Sequence, residues 1–223
     1  MKNQKQFFKT LLLTVVTCSV IATACKKEST TQKQQQQINQ VLPQKYIDTL
    51  KNLGINIYSG TTPPTLNGIY VISPFKLKAT TLSSDFPVGT TFTDAKLKLE
   101  NQNNTDFSIN ILGKNFLANN DTSIISAVSG SGNNFTVYGK VKATNGSGFA
   151  YFALVMSGTM SGTAIQNFEV GLINIDNSHG NGLFMPEGAA RLIYDADFTS
   201  VTTTVFRIAS ETMPKNIKLA GLR

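Results

Sequence analysis

From Thr65 onward, apolar and polar residues alternate in short runs that Gly, Asn, Asp and Ser interrupt about every ten residues. A period of two puts successive side chains on opposite faces of an extended strand, so each run can bury one face and solvate the other. Phe75, Leu77 and Ala79 alternate with Lys76, Lys78 and Thr80, and Leu97 and Leu99 with Lys96, Lys98 and Glu100. Phe107, Ile109 and Ile111 alternate with Ser108 and Asn110, while Phe135, Val137 and Val141 share a face opposite Lys140 and Lys142. Candidate strands start near residues 68, 91, 105, 122, 134, 148, 163, 188 and 201. The turns Gly130-Ser131-Gly132-Asn133-Asn134, Asn145-Gly146-Ser147-Gly148 and Ser161-Gly162 are short, so sequence neighbours are expected to pair antiparallel as hairpins. Charged residues make up only 15% of the chain and there is no Trp, which speaks against coiled coils and long helical bundles; a hydrophobic content of 41% speaks against global disorder. A meander with no long helix to cover it hides its edges by closing. The expected fold is all-β: an antiparallel meander forming a barrel of roughly 8 to 10 strands with one short N-terminal helix, a β-sandwich being the alternative.

The first 24 residues read as an address. Lys2, Lys5 and Lys9 precede the stretch from Thr10 to Cys25, which carries no charge, is too short for a membrane span and is too rich in Thr. With the leader removed, three lysines go and the net charge falls from +7 to +4. The remaining Lys and Arg are scattered rather than gathered into a stripe interleaved with aromatics, so no nucleic-acid partner is expected.

Between Lys26 and Gln40 the only apolar residue is Ile38, and residues 25–41 are expected to form a flexible Gln-rich tether. Residues 42–64 hold a helix and an entry loop. Pro43 suits a first helical turn, Tyr46, Ile47, Leu50 and Leu53 recur at spacings of three and four, Gly54 stops the helix and Pro63-Pro64 extends the backbone. The barrel is expected over 65–210, followed by a tail at 211–223.

Phe149 to Met156 is apolar on both faces and needs cover on each. Phe152, Leu154 and Met156 form the bulkier set, and Phe152 and Leu154 are expected against the helix bearing Leu50. Tyr151, beside Ala153 and Ser157, leaves room and offers a hydroxyl, so Tyr151, Tyr194 and Tyr70 are the expected lining of an interior ligand cavity. On the last long strand, Leu192, Tyr194, Ala196 and Phe198 are expected to face inward, with Arg191, Asp195 and Asp197 in solvent.

Several of these residues carry resemblances. Ile21-Ala22-Thr23-Ala24-Cys25 resembles the lipobox of bacterial lipoproteins, which implies lipidation of Cys25 as the first residue of the mature chain. Two or three acyl chains at about 0.8 kcal/mol per buried methylene give stable membrane anchoring. Asn67-Gly68-Ile69-Tyr70 is similar to the opening strand of lipocalins, which implies a base-closing pair of Tyr70 with Arg207. Pro63-Pro64, Gly68, Tyr70 and Ser73-Pro74-Phe75, with the central run from Gly132 to Tyr138, resemble a group of uncharacterised envelope lipoproteins of the Bacteroidota.

Chemistry is sparse. His179 is the single histidine, in the polar run from Asp176 to Gly182, and no metal or cofactor is expected. Asp195 and Asp197, about 7 Å apart on one strand face, are the basis for a carboxylate-type hydrolase. Lys76, Lys78, Lys96, Lys98, Lys140 and Lys142 would make a basic wall if their strands lay side by side. The expected role is a non-catalytic, lipid-anchored protein of the outer membrane or cell envelope that binds a small apolar ligand or an envelope component. The alternatives are an accessory subunit with a filled barrel and the hydrolase.

Overall fold

Long hairpins dominate the molecule because Gly146 and Gly162 turn the chain with left-handed backbone (φ 58° and 60°), leaving the flanking runs to pair over their full length. The computed structural model describes residues 28–116 and 121–206. The strands are β1 (Thr61–Thr62), β2 (Gly68–Ile72), β3 (Phe75–Thr80), β4 (Ala95–Asn103), β5 (Ser108–Lys114), β6 (Asp121–Ser131), β7 (Asn134–Asn145), β8 (Gly148–Ser161), β9 (Ala164–Asp176), β10 (Ala190–Asp195) and β11 (Thr199–Ser200). They follow the order β2-β4-β5-β6-β7-β8-β9-β10-β3, an antiparallel sheet of nine strands nearly closed into a barrel. From β4 to β10 each strand pairs with the next, as the turn signals predict. One strand departs from the meander: after the corner at Ser73-Pro74, β3 leaves β2 and pairs with β10, so β2 and β4 become neighbours.

That excursion leaves a seam between β2 and β3. The chain after β10 closes one end of it. β11 pairs with β9, and the next residues run beside β2, where Val71 N donates to Val201 O (2.9 Å) and Thr203 N to Ile69 O (2.9 Å).

The interior is packed with Phe75, Phe107, Phe135, Phe152 and Phe168, together with Leu77, Leu97, Ile109, Leu154 and Met156, all buried in one cluster. The expected facing of Phe149 to Met156 is therefore reversed. Phe152, Leu154 and Met156 point inward, while Ala153 and Val155 belong to a second cluster on the outer wall with Leu50. The reason is shape. Ala127, Ala153, Ala190 and Gly171 give a shallow outer bed; a Cβ at Gly171 would meet Leu50 Cδ2 at 2.8 Å. The bulkier set fills the barrel.

Two helices lie on that bed. The expected helix is α2 (Gln44–Asn52), with Tyr46, Ile47 and Leu50 buried. The segment expected to be a flexible tether is instead largely helical: α1 spans Thr30–Val41. Ser29 and Gln32 cap it reciprocally: Ser29 Oγ accepts from Gln32 N (3.2 Å) and Ser29 N donates to Gln32 Oε1 (3.0 Å). Gln34, Ile38 and Val41 form its buried stripe. Gln34 can be buried because its amide donates to Gly60 O (2.8 Å) and Val128 O (3.1 Å), and Gln37 Nε2 donates to Ser126 O (2.9 Å).

Candidate functional site

The residues singled out from the sequence scatter rather than converge. Cys25 and Arg207 lie outside the described residues. Tyr70 points into the packed interior, where its hydroxyl donates to Leu66 O (3.0 Å) and burial pushes its phenol above the ordinary range. It seats against Gly68, where a Cβ would meet the ring at 3.0 Å; Tyr70 is a core residue and lines no cavity with Tyr151 or Tyr194. Tyr151 is on the outer wall, under the Lys140 ammonium (5.0 Å) and edge-on to Phe149 (5.9 Å). Phe149 also stacks with His179 at 4.5 Å and lies under Lys142. Asp176 accepts from Ser178 N (2.9 Å), which holds its carboxyl below the usual range. Among the described residues no three His, Cys, Asp or Glu converge on a common point.

The polar face of β10 is also reversed. Arg191 and Asp195 point inward rather than into solvent. Arg191 is 0% exposed and grips Asp85 through two bonds, Nε to Oδ2 (2.8 Å) and a terminal guanidinium nitrogen to Oδ1 (2.6 Å). Burial raises the Asp85 carboxyl, but Arg191, the Thr80 hydroxyl and the Phe86 amide outweigh it and hold the group low. The loop after β3 is thereby tied to the interior. Asp195, 1% exposed, accepts from Ser200 Oγ (2.6 Å); burial first, with Asp197 adding to it, pushes its carboxyl up to about 6. An inward Asp195 separates this pair from the solvated arrangement a hydrolase reading rested on.

The lysines do not act as one basic wall. Lys78 pairs with Glu169, Lys98 with Glu100 (2.6 Å), and Lys96 donates to Val205 O (2.9 Å), while Lys140 and Lys142 lie over aromatic rings.

A site of a different kind lies on the outer wall of β3, β10 and β9: an open cavity of about 510 Å³, within the range of small-ligand sites. Glu169 is its fixed point. Oε2 accepts from Asn56 N (3.3 Å) and Asn56 Nδ2 (3.2 Å), and Oε1 accepts from the Lys78 ammonium. Tyr194 sits beside Glu169 by strand register, and its ring meets Phe198 at 6.1 Å. Tyr58 is placed from the other side, its N–H donating to Thr136 Oγ1 (2.8 Å) and its carbonyl accepting from Ser129 Oγ (2.6 Å). Val88 and Phe198, both exposed, form apolar borders.

A bulge shapes the wall. β9 carries one extra residue against β8 between Gln166 and Glu169, and Asn167 there is left-handed (φ 53°). Its N–H donates to the carbonyl of Phe198 (3.0 Å), which is also left-handed (φ 63°). Of the sequence candidates Tyr194 and Lys78 belong to this groove, Lys78 as the partner of Glu169 rather than as part of a basic wall. Asn56, Tyr58, Val88, Asn167 and Glu169 were hidden because they come from the loop after α2, the loop after β3 and a bulge, and the period-two pattern does not report any of these.

A second cleft of about 440 Å³ lies between the two helices and the outer wall. Its Gln34 amide is already spent on Gly60 and Val128.

Comparison with known proteins gives no match: no family model, no curated protein and no solved structure is similar to this chain.

Proposed function

We propose that this chain is a non-catalytic lipoprotein of the outer membrane or cell envelope, anchored through Cys25, whose barrel is a scaffold and whose outer-wall groove holds a small ligand or a chemical group of an envelope partner. The observation that carries the ligand reading is the groove around Glu169: a cavity of about 510 Å³ bordered by exposed apolar residues and floored by a fixed ion pair. The anchor rests on Ala22-Thr23-Ala24-Cys25, since the chain beyond Cys25 contains no other cysteine to pair with it. A close-packed interior moves the expected ligand from the inside of the barrel to its outside.

Two experiments test this. Cys25→Ser should release the domain into the soluble fraction; a folded variant that stays with membranes after a carbonate wash overturns the anchor. Native mass spectrometry of protein purified from its own cells should show a bound species that Tyr194→Ala removes. A bare mass, or an adduct indifferent to Tyr194→Ala, removes the groove from the reading and favours an accessory subunit that binds through other surfaces.

A further inference from the structure

The groove's wall says what class of ligand it fits, given the reading above that it is a ligand site. Lys78 and Glu169 are the charged residues among its described lining, and they neutralise each other. An ionic ligand entering the groove would give up hydration against a wall whose charged pair carries no net charge. Charge therefore favours neither anions nor cations.

What remains is neutral hydrogen-bonding capacity. The hydroxyls of Tyr58 and Tyr194 and the side-chain amide of Asn167 have no hydrogen-bond partner among the described residues. The Lys78 side chain is 41% exposed, so Glu169 pins its ammonium while other N–H directions stay open. A purely alkyl ligand would strip water from all of these groups and replace none of the lost bonds. Beside them stand the rings of Tyr194 and Phe198, tilted by 41° and presenting apolar faces. The left-handed backbone at Asn167 and Phe198 is uncommon for such residues, and one backbone bond couples the two positions, so the amide and the ring are presented together.

We propose that the groove binds an uncharged saccharide of one or two rings. A pyranose has the matching division: C–H bonds on one face to lie against Tyr194 and Phe198, and hydroxyls around the edge that both donate and accept. Tyr58, Asn167 and Asn56 would meet those hydroxyls, with Lys78 as a further donor and the carboxylate of Glu169 as an acceptor.

The test is a glycan array probed with the full chain carrying Cys25→Ser, displaying neutral oligosaccharides beside uronate-containing and sulfated ones, followed by calorimetry with the best neutral disaccharide. Neutral glycans should bind, and their uronate counterparts should bind about tenfold more weakly or less. Tyr194→Ala and Phe198→Ala should each lower affinity by about tenfold. Glu169→Gln, which keeps an acceptor for Asn56 but frees the Lys78 charge, should narrow or invert the discrimination against uronates. An array with no neutral binder, or one that prefers charged glycans, overturns the saccharide assignment. A native adduct of non-saccharide mass that Tyr194→Ala removes also overturns it while leaving the groove as a ligand site. Neutral-glycan binding that survives both aromatic substitutions overturns the groove itself.

Discussion

The outer faces of β9 and β10 form one continuous wall with two neighbourhoods. In register, Ala190 stands beside Ile173 and Leu192 beside Gly171, and α2 covers this half. One step further Tyr194 stands beside Glu169, and the cover ends. The boundary is a single residue of the incoming chain: Ile55 is buried in the helix-bed cluster, and Asn56 turns out to hold Glu169. The covered half is small and apolar, which suits docking; the open half is aromatic and polar, which suits exchange with solvent or ligand. The same contrast continues on the inner face. Behind the covered half, Arg191 is matched by Asp85; behind the open half, Asp195 is a buried carboxyl whose charge is disfavoured.

Removing the charge match should have the largest effect. Arg191→Met removes the buried guanidinium that Asp85 faces and should cost about 3–5 kcal/mol in urea unfolding. An Asp85→Asn, Arg191→Met double variant that is no more stable than the single one would show that the pair is not the reason. Leu50→Ala comes next, at about 3 kcal/mol, because it opens a cavity above Gly171. A loss below about 1 kcal/mol would mean that the helices are not docked and that the two halves of the wall are alike.

Asp195 supplies a pH signature for the open half. Its folded value of about 6 lies above the ordinary 3.8, so its contribution to stability is full below about 3.8 and is lost as pH rises through about 6. Asp195→Asn should therefore stabilise the protein at pH 8 by roughly 1–2 kcal/mol, with no gain at pH 3.5. Unfolding measured across that range checks it; a gain that does not vary with pH would assign the effect to packing. Smallest of all, Tyr194→Ala should change stability by less than about 1 kcal/mol, since the ring is half-exposed and makes no described hydrogen bond. A large loss would make the open half as structural as the covered one.

The alternation that revealed the strands did not reveal which face was inside. On β10 both faces carry apolar side chains, Ile193 inward and Leu192 outward, so Arg191 looked solvated; its partner Asp85 is 106 residues away in sequence. The size of Phe152 and the smallness of Ala153 and Gly171 were legible, but they belonged to a packing problem that pattern alone does not pose. Helix α1 was more accessible than it seemed. Ser29 and Gln32 spell a capping box, and Gln34, Ile38 and Val41 keep helical spacing. The composition of that stretch concealed it, because a glutamine is buried only when carbonyls such as those of Gly60 and Val128 are brought to it by the rest of the fold.

The strap formed by residues 199–203 also sets an order of events. It completes the pairing of β2, a strand made among the first, with chain that is made among the last. Until that late segment arrives, one side of β2 offers unsatisfied N–H and C=O groups to any extended neighbour. The ribosome must finish almost the whole domain before this edge can be sealed, so the nascent barrel keeps an adhesive margin until its synthesis is nearly complete, and chains ending before Thr199 inherit it permanently.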